Sequence, residues 1–413
     1  MVPVRVSIPV RDAKGMASRR RTKPTFAGLF SGCGGFDLGF QQSGFRSLAA
    51  FDIDSDAVAN YNANQTGNAA VCDLACVNSL ELSSPPDVII AGPPCQGFST
   101  LGLRANDDPR NSLLISAASL AVAANPRVIL IENVSGAVAG THRSYWNSAK
   151  AIIEAAGFQS KEFRVTGTDF GLPQIRKRII LVAARCNLDR AIQPIPGGCV
   201  AIRKCLSDVE RLPNHFPRWL TPGSSEYQIA QRILPHQKLC NVRGGNRSIP
   251  TWEIPEVFGA VTLRERKLLC IVQRLRRQRR LRPVGDADPL TIQDLDESCD
   301  FDPRPIVNKL KDKGYLRQIG RRFDLAHTFN GTYRRLSTDH PSPTVDTRFG
   351  QPRYFLHPEE QRGLSAREAA RIQGFPDDFV FHGSLTTQFR LIGNAVPPPI
   401  GRWFAEMILE HLL

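Results

Sequence analysis

Short apolar runs alternate with longer stretches of helical periodicity through the first half of the chain. Phe26 to Phe30, Ser47 to Phe51, Val88 to Ala91, Val128 to Ile131 and Ile179 to Ala183 are each bounded by turn residues, and each predicts a buried strand. Strands that alternate with helices predict an α/β fold with a doubly wound, mostly parallel sheet, whose ligands sit at the carboxyl ends of the strands. After about Asp189 the rhythm breaks and Pro, Gly and Arg accumulate. The chain therefore divides into a flexible basic arm over 1–24, a first domain over 25–189 completed by 385–413, and a second, smaller domain over 190–384. Leu364 to Ile372 reads as helical, and Pro397 to Leu412 as a final helix opened by three prolines, which suit a helix start better than its interior.

Within the second domain, Leu268, Ile271, Val272 and Leu275 recur at helical spacing over Thr262 to Gln278, and a dense basic run covers Arg274 to Arg282. Leu290 to Leu295 predicts a short second helix, Pro305 to Lys311 a third, and Leu316 to Leu325 a hairpin. Over 262–325 this order resembles a winged helix-turn-helix, whose third helix reads a major groove and presents Asn308 and Lys309. An irregular helical insertion with a solvated basic face is the alternative.

The formal charge of +14 favours a polyanionic partner, since each neutralised phosphate releases condensed counterions. No uninterrupted apolar run reaches the length of about eighteen residues that a membrane helix needs, and no secretory signal opens the chain, so a cytoplasmic protein without a membrane partner is expected. Met16 is a second candidate start. The ten cysteines show no paired CxxC spacing; reduced thiols and no metal site are expected.

Candidate chemistry falls at the strand ends. Phe30-Ser31-Gly32-Cys33-Gly34-Gly35 places a glycine cluster directly after the first strand, where a backbone can turn tightly against a ligand. Asp52 ends the next strand, at the distance downstream expected of a carboxylate that accepts from ribose hydroxyls. Ile53 can lie flat against an adenine ring, and Asp73 can accept from its amino group. A helix N-cap for Asp52 and core packing for Ile53 are the plainer alternatives. Further on, Pro93-Pro94 holds the backbone rigid just before Cys95 at a strand end, where an exposed nucleophile belongs.

Gly92-Pro93-Pro94-Cys95-Gln96-Gly97-Phe98-Ser99 resembles the catalytic motif of the DNA cytosine-5 methyltransferase family. Phe30 to Gly35 is similar to that family's cofactor loop and Glu132-Asn133-Val134 to its second catalytic motif. Gln174-Ile175-Arg176-Lys177-Arg178 is similar to its Gln-x-Arg-x-Arg element, and Gly393-Asn394-Ala395-Val396-Pro397 to its closing motif, all in the family's linear order. One departure stands out: many members carry an acidic residue where this chain has Gly28.

The resemblance implies a Rossmann-like methyltransferase that uses S-adenosyl-L-methionine, held by Phe30, Gly32, Gly34, Gly35, Asp52, Ile53, Asp73, Pro94, Asn394 and Ala395. Cys95 would be the nucleophile, Glu132 the proton donor to ring nitrogen 3, Arg178 the donor to the cytosine carbonyl, and Arg176 a phosphate contact or a support for the loop. Gln96, Ser99 and Gln174 would touch DNA, and the second domain would recognise the target. The chemistry supports these roles independently: carbon 5 of cytosine is a poor nucleophile until a thiolate adds to carbon 6. The family also implies duplex DNA as partner, a monomer, and a bacterial restriction-modification setting with a cognate endonuclease acting separately. An RNA cytosine methyltransferase and a catalytically silent DNA-binding protein are the competing readings. The long basic insertion argues against the first, and the intact motif residues against the second.

Overall fold

The computed structural model describes residues 23–94, 112–194, 197–198, 200–242, 245–282 and 287–413. The basic arm over 1–24 lies outside them except for Lys23 and Pro24, and so do Cys95, Gln96 and Ser99. The described chain forms two compact units: one contains 23–215, Asp339–Thr347 and Ala366–Leu413, the other Phe216–Thr338 and Arg348–Ser365.

Up to residue 184 the first unit forms eight strands: β1 (Thr25–Leu29), β2 (Arg46–Asp52), β3 (Ala69–Val71), β4 (Val88–Ala91), β5 (Val128–Val134), β6 (Gln159–Thr166), β7 (Gln174–Ile175) and β8 (Lys177–Ala184). Seven of them form one sheet in the order β3-β2-β1-β4-β5-β8-β6. The first five run parallel, and β8 lies antiparallel to both β5 and β6. Helices α1 (Gly35–Gln42), α2 (Ser55–Asn64), α3 (Leu113–Ala123) and α4 (Arg143–Ala155) make the connections. Strand order reverses between β1 and β4, so the loops leaving those two strands flank the crevice where doubly wound sheets bind ligands.

The predicted strands all form, and their apolar runs are continuous because both sheet faces are covered. Along β5, Ile129 and Ile131 pack with α3 and α4 through Leu114, Trp146 and Ile153. Val128 and Leu130 face the other layer, with Phe36 and Phe40 of α1 and Ile400, Phe404 and Ile408 of the closing helix Pro398–His411. Strand β6 is absent from the sequence-based set; it is an edge strand whose Lys161, Glu162 and Arg164 leave only Phe163 and Val165 as an alternating apolar signal.

The expected second domain, 190–384, is drawn differently by the structure. Ser342–Pro343 pairs in parallel with β7, and Arg367 is fully buried, donating to the carbonyls of Pro213, Pro376 and Phe379 at 3.0, 3.0 and 2.8 Å. These long-range contacts return 339–347 and 366–384 to the first unit.

In the second unit the helix Leu263–Gln278 opens with a Thr262/Glu265 capping box and buries Leu268, Leu269, Ile271, Val272 and Leu275. Leu290–Thr291 is a strand, not part of a helix, because Thr291 caps the short helix Ile292–Asp296 that follows. A helix over Arg304–Asp312 buries Val307 and Leu310 and exposes Asn308 and Lys309. Arg322–Leu325 lies between Leu290–Thr291 and Leu316–Ile319 in a three-stranded antiparallel sheet. Asp324, buried in that sheet, is gripped by Arg276 at 2.7 Å and Arg317 at 2.8 Å. Burial alone would raise its pKa, but the bonds from His327 and Arg317 and the charge of Arg276 hold it well below the usual carboxylate range.

Candidate active site

One cavity of about 380 Å³ opens at the strand-order switch of the first unit, a size typical of small-molecule sites. Phe30, Gly32, Asp52, Ile53 and Asp73 line it from the β1 to β3 side; Pro93, Pro94, Glu132, Arg176 and Arg178 from the β4 to β8 side; Asn394 and Ala395 from the end of the helix Leu385–Asn394. The structure thus brings most of the expected site residues to one wall-to-wall space.

Asp52 is placed by the backbone around it. Its Oδ2 accepts from the Gly32 amide at 2.7 Å and its Oδ1 from the Asp54 amide at 2.9 Å, which ties the glycine loop to the end of β2. Burial raises its pKa, with backbone bonds from Gly32 and Ile53 and the charge of Arg390 opposing. The N-cap of α2 is Asp54, so Asp52 is free of that role. Ile53 is 65% exposed at the cavity edge, which excludes simple core packing. Asp73 is exposed and accepts from the Ala75 amide at 3.0 Å.

Gly34 and Gly35 shape the loop rather than line the cavity. Gly34 caps α1 at φ 87°, and a Cβ on Gly35 would come within 2.3 Å of the Val396 carbonyl oxygen, so only glycine lets α1 approach the 394–396 segment this closely.

At the opposite end Arg178 Nε meets Glu132 Oε1 at 2.7 Å in a nearly buried ion pair whose angle is not that of a straight hydrogen bond. Asn133, missed as a site residue, donates from Nδ2 to the Pro93 carbonyl at 3.4 Å and so steadies the segment that leads to Cys95. Gln174, Arg176 and Arg178 are all buried on one face of their strands, as their alternation predicts, but only Arg178 faces the acid.

Arg176 donates to the carbonyls of Val345, Gly393 and Ala395 at 3.2, 3.2 and 2.9 Å, which makes it the support of the Asn394 loop. Gln174 is fully buried; its amide donates to Gln373 Oε1 at 2.8 Å and accepts from the Val345 amide at 2.8 Å. Both ends of its amide are engaged by protein groups here. Asn308 and Lys309 belong to the other unit.

Asp37, which the sequence reading left without a role, lies in the first turn of α1, lines the cavity and is 1% exposed. A Cβ on Gly28 would come within 2.3 Å of its Oδ1, so the carboxylate occupies the space that the missing side chain at position 28 leaves. Two cysteines among the described residues line the cavity. Burial pushes the Cys33 thiol up to about 12, and burial with the charge of Asp73 raises that of Cys72.

The seven-stranded, mostly parallel sheet, with a switch-point cavity lined by Asp52 at one end and by the Glu132–Arg178 pair at the other, is that of a Rossmann-like methyltransferase. The chain belongs to the C-5 cytosine-specific DNA methylase family, whose description matches residues 25–410. It is therefore a DNA cytosine-5 methyltransferase dependent on S-adenosyl-L-methionine, and the cavity with its buried carboxylates fits that cationic cofactor. Among its relatives, the type II methyltransferase M.AgeI of Thalassovita gelatinovora is 29% identical, covering 92% of this chain and 98% of that protein. M.XorII of Xanthomonas oryzae pv. oryzae is also 29% identical, with 95% and 86% covered. The fold is similar to that of a proposed DNA modification methyltransferase encoded within an E. coli prophage, with a TM-score of 0.56, 23% identity, and 94% and 99% of the two chains covered.

Proposed function

We propose that the chain methylates carbon 5 of a flipped-out cytosine within a specific duplex sequence through a covalent bond from Cys95. The observation that carries this is a continuous cavity lined by Asp52 and Ile53 at one end and by Pro94, Glu132 and Arg178 at the other. Pro94 directly precedes Cys95, and neither described cysteine of the cavity supplies a thiolate near neutral pH.

S-adenosyl-L-methionine, when bound, supplies the methyl group. The Cys95 thiolate adds to carbon 6 of the ring, and the electron pair of the carbon 5–carbon 6 bond moves toward nitrogen 3, which Glu132 protonates. Arg178 orients Glu132 and donates to the cytosine carbonyl. After carbon 5 is methylated, loss of its proton to solvent re-forms the carbon 5–carbon 6 double bond and expels Cys95 as thiolate, and nitrogen 3 returns its proton to Glu132. Reaching these atoms costs a few kcal/mol of unstacking, recovered by contacts elsewhere on the duplex.

The second unit supplies those contacts in this reading. Three helices followed by a hairpin, with the strand Leu290–Thr291 completing its sheet, support a winged helix over 262–325 that reads DNA with Asn308 and Lys309. The type II relatives support a restriction-modification setting, and within that setting the chain is read as a monomer acting on DNA in the cytoplasm beside a separate endonuclease. No helix among the described residues is long and apolar enough to cross a membrane.

A cognate duplex carrying 5-fluorocytosine should trap a denaturation-stable complex with the parent protein and none with Cys95→Ser, because fluorine cannot leave as a proton does. A trapped complex with the Ser variant, or none with an active parent, would overturn the covalent route.

A further inference from the structure

The buried carboxyl of Asp37 has work left undone. Its Oδ1 accepts from Ser31 Oγ at 3.2 Å and from the Tyr61 hydroxyl at 3.3 Å, while Oδ2 is buried without a hydrogen-bond partner. A buried acceptor in that condition costs free energy unless a ligand supplies the missing donor. The residue lines the cavity, and burial foremost, with Asp52 nearby, pushes its carboxyl up to about 7, as expected of a charge that lacks its counter-charge.

We infer that Asp37 receives the α-ammonium of S-adenosyl-L-methionine, its Oδ2 accepting an N–H bond at the wall of the cavity it lines. The inference rests on the cofactor assignment and adds a contact to it. Three groups of the cofactor compete for the role. The sulfonium is cationic but has no proton to donate. It must also carry its methyl toward the Pro94 and Glu132 end, whereas Asp37 lies against β1, on the far side of β4 from the Glu132 strand. The ribose hydroxyls are donors but neutral, and Asp52 stands at the end of β2 to accept them. Only the ammonium is both a cation and a donor.

Calorimetry without DNA on the parent and on Asp37→Asn tests this with three ligands. Asparagine keeps the shape and leaves Oδ1 to accept from Ser31 and Tyr61. S-adenosyl-L-homocysteine has the ammonium and a neutral sulfur; 5′-methylthioadenosine has the ribose and adenine but no ammonium. Affinity for the methionine and homocysteine ligands should fall together by about ten- to a hundredfold, the range for a bond to a charged group, with methylthioadenosine unchanged. That unchanged binding also shows that the variant is folded. A loss confined to S-adenosyl-L-methionine would assign Asp37 to the sulfonium and overturn the inference. An equal loss for all three ligands would make it a ribose contact or a structural residue, and no loss for any would leave it without a cofactor contact; each result overturns the inference. Failure of the parent itself to bind S-adenosyl-L-methionine would overturn the cofactor assignment and the inference with it.

Discussion

At the scale of single residues, the site sets cofactor affinity against stability. The fold favours the protonated form of Asp37, so its stabilising contribution is complete below the ordinary carboxylate pKa of about 4 and is lost as pH rises through about 7. The loss is on the order of a few kcal/mol in the cofactor-free protein. Asp52 on β2, Cys33 in the glycine loop and Tyr61 on α2 face the same carboxyl and are common to parent and variant. Asp37→Asn, which has no proton to lose, should therefore melt at a higher temperature than the parent at pH 8. The gap should close toward pH 5. A difference in Tm that does not vary with pH would show that the carboxyl stays in one protonation state throughout.

At the scale of elements, the helix Arg304–Asp312 bears on sequence choice. Its inner face is held by Val307 and Leu310, so Asn308 and Lys309 can be changed without opening a core. Replacing both by Ala should weaken DNA binding while leaving cofactor binding unchanged. Base contacts would make the loss depend on sequence, at about 1 to 3 kcal/mol of discrimination each. Phosphate contacts would weaken all sequences alike and reduce the salt slope by about one per contact. Affinities for the cognate site and single-base variants at two salt concentrations separate these outcomes. Unchanged affinity and site preference would remove this helix from recognition.

At the scale of the molecule, the net charge of +14 gives a strongly salt-dependent affinity for DNA. Six of the basic residues, Arg5, Arg11, Lys14, Arg19, Arg20 and Arg21, stand within the first 22 positions. A chain that begins at Lys23 should keep its target sequence and show a shallower dependence of log affinity on log salt, measured on one cognate duplex. An identical slope would mean that the arm neutralises no phosphate.

The strands were legible because each is a local apolar run that needs burial on two faces, and Val88 to Ala91 forms with the predicted bounds. The candidate site segments were legible too, since Pro94-Cys95 follows β4 within a few residues and Glu132 lies near the end of β5. Sequence alone thus determined the fold class, the order of the motifs and the chemistry they carry. Tertiary structure decided which of those residues face a ligand. Arg176 reads like its neighbour Arg178, but it finds the Ala395 carbonyl 219 positions away and becomes a support. Gln174 is taken up by Gln373 in the same way, and Ser342 returns the chain to β7 across what looked like a domain boundary. Asp37 gains its place only because Gly28 leaves room on the adjoining strand. Periodicity and turn chemistry act over a few residues, whereas these partners lie up to hundreds of positions apart and meet only when the sheet closes around them.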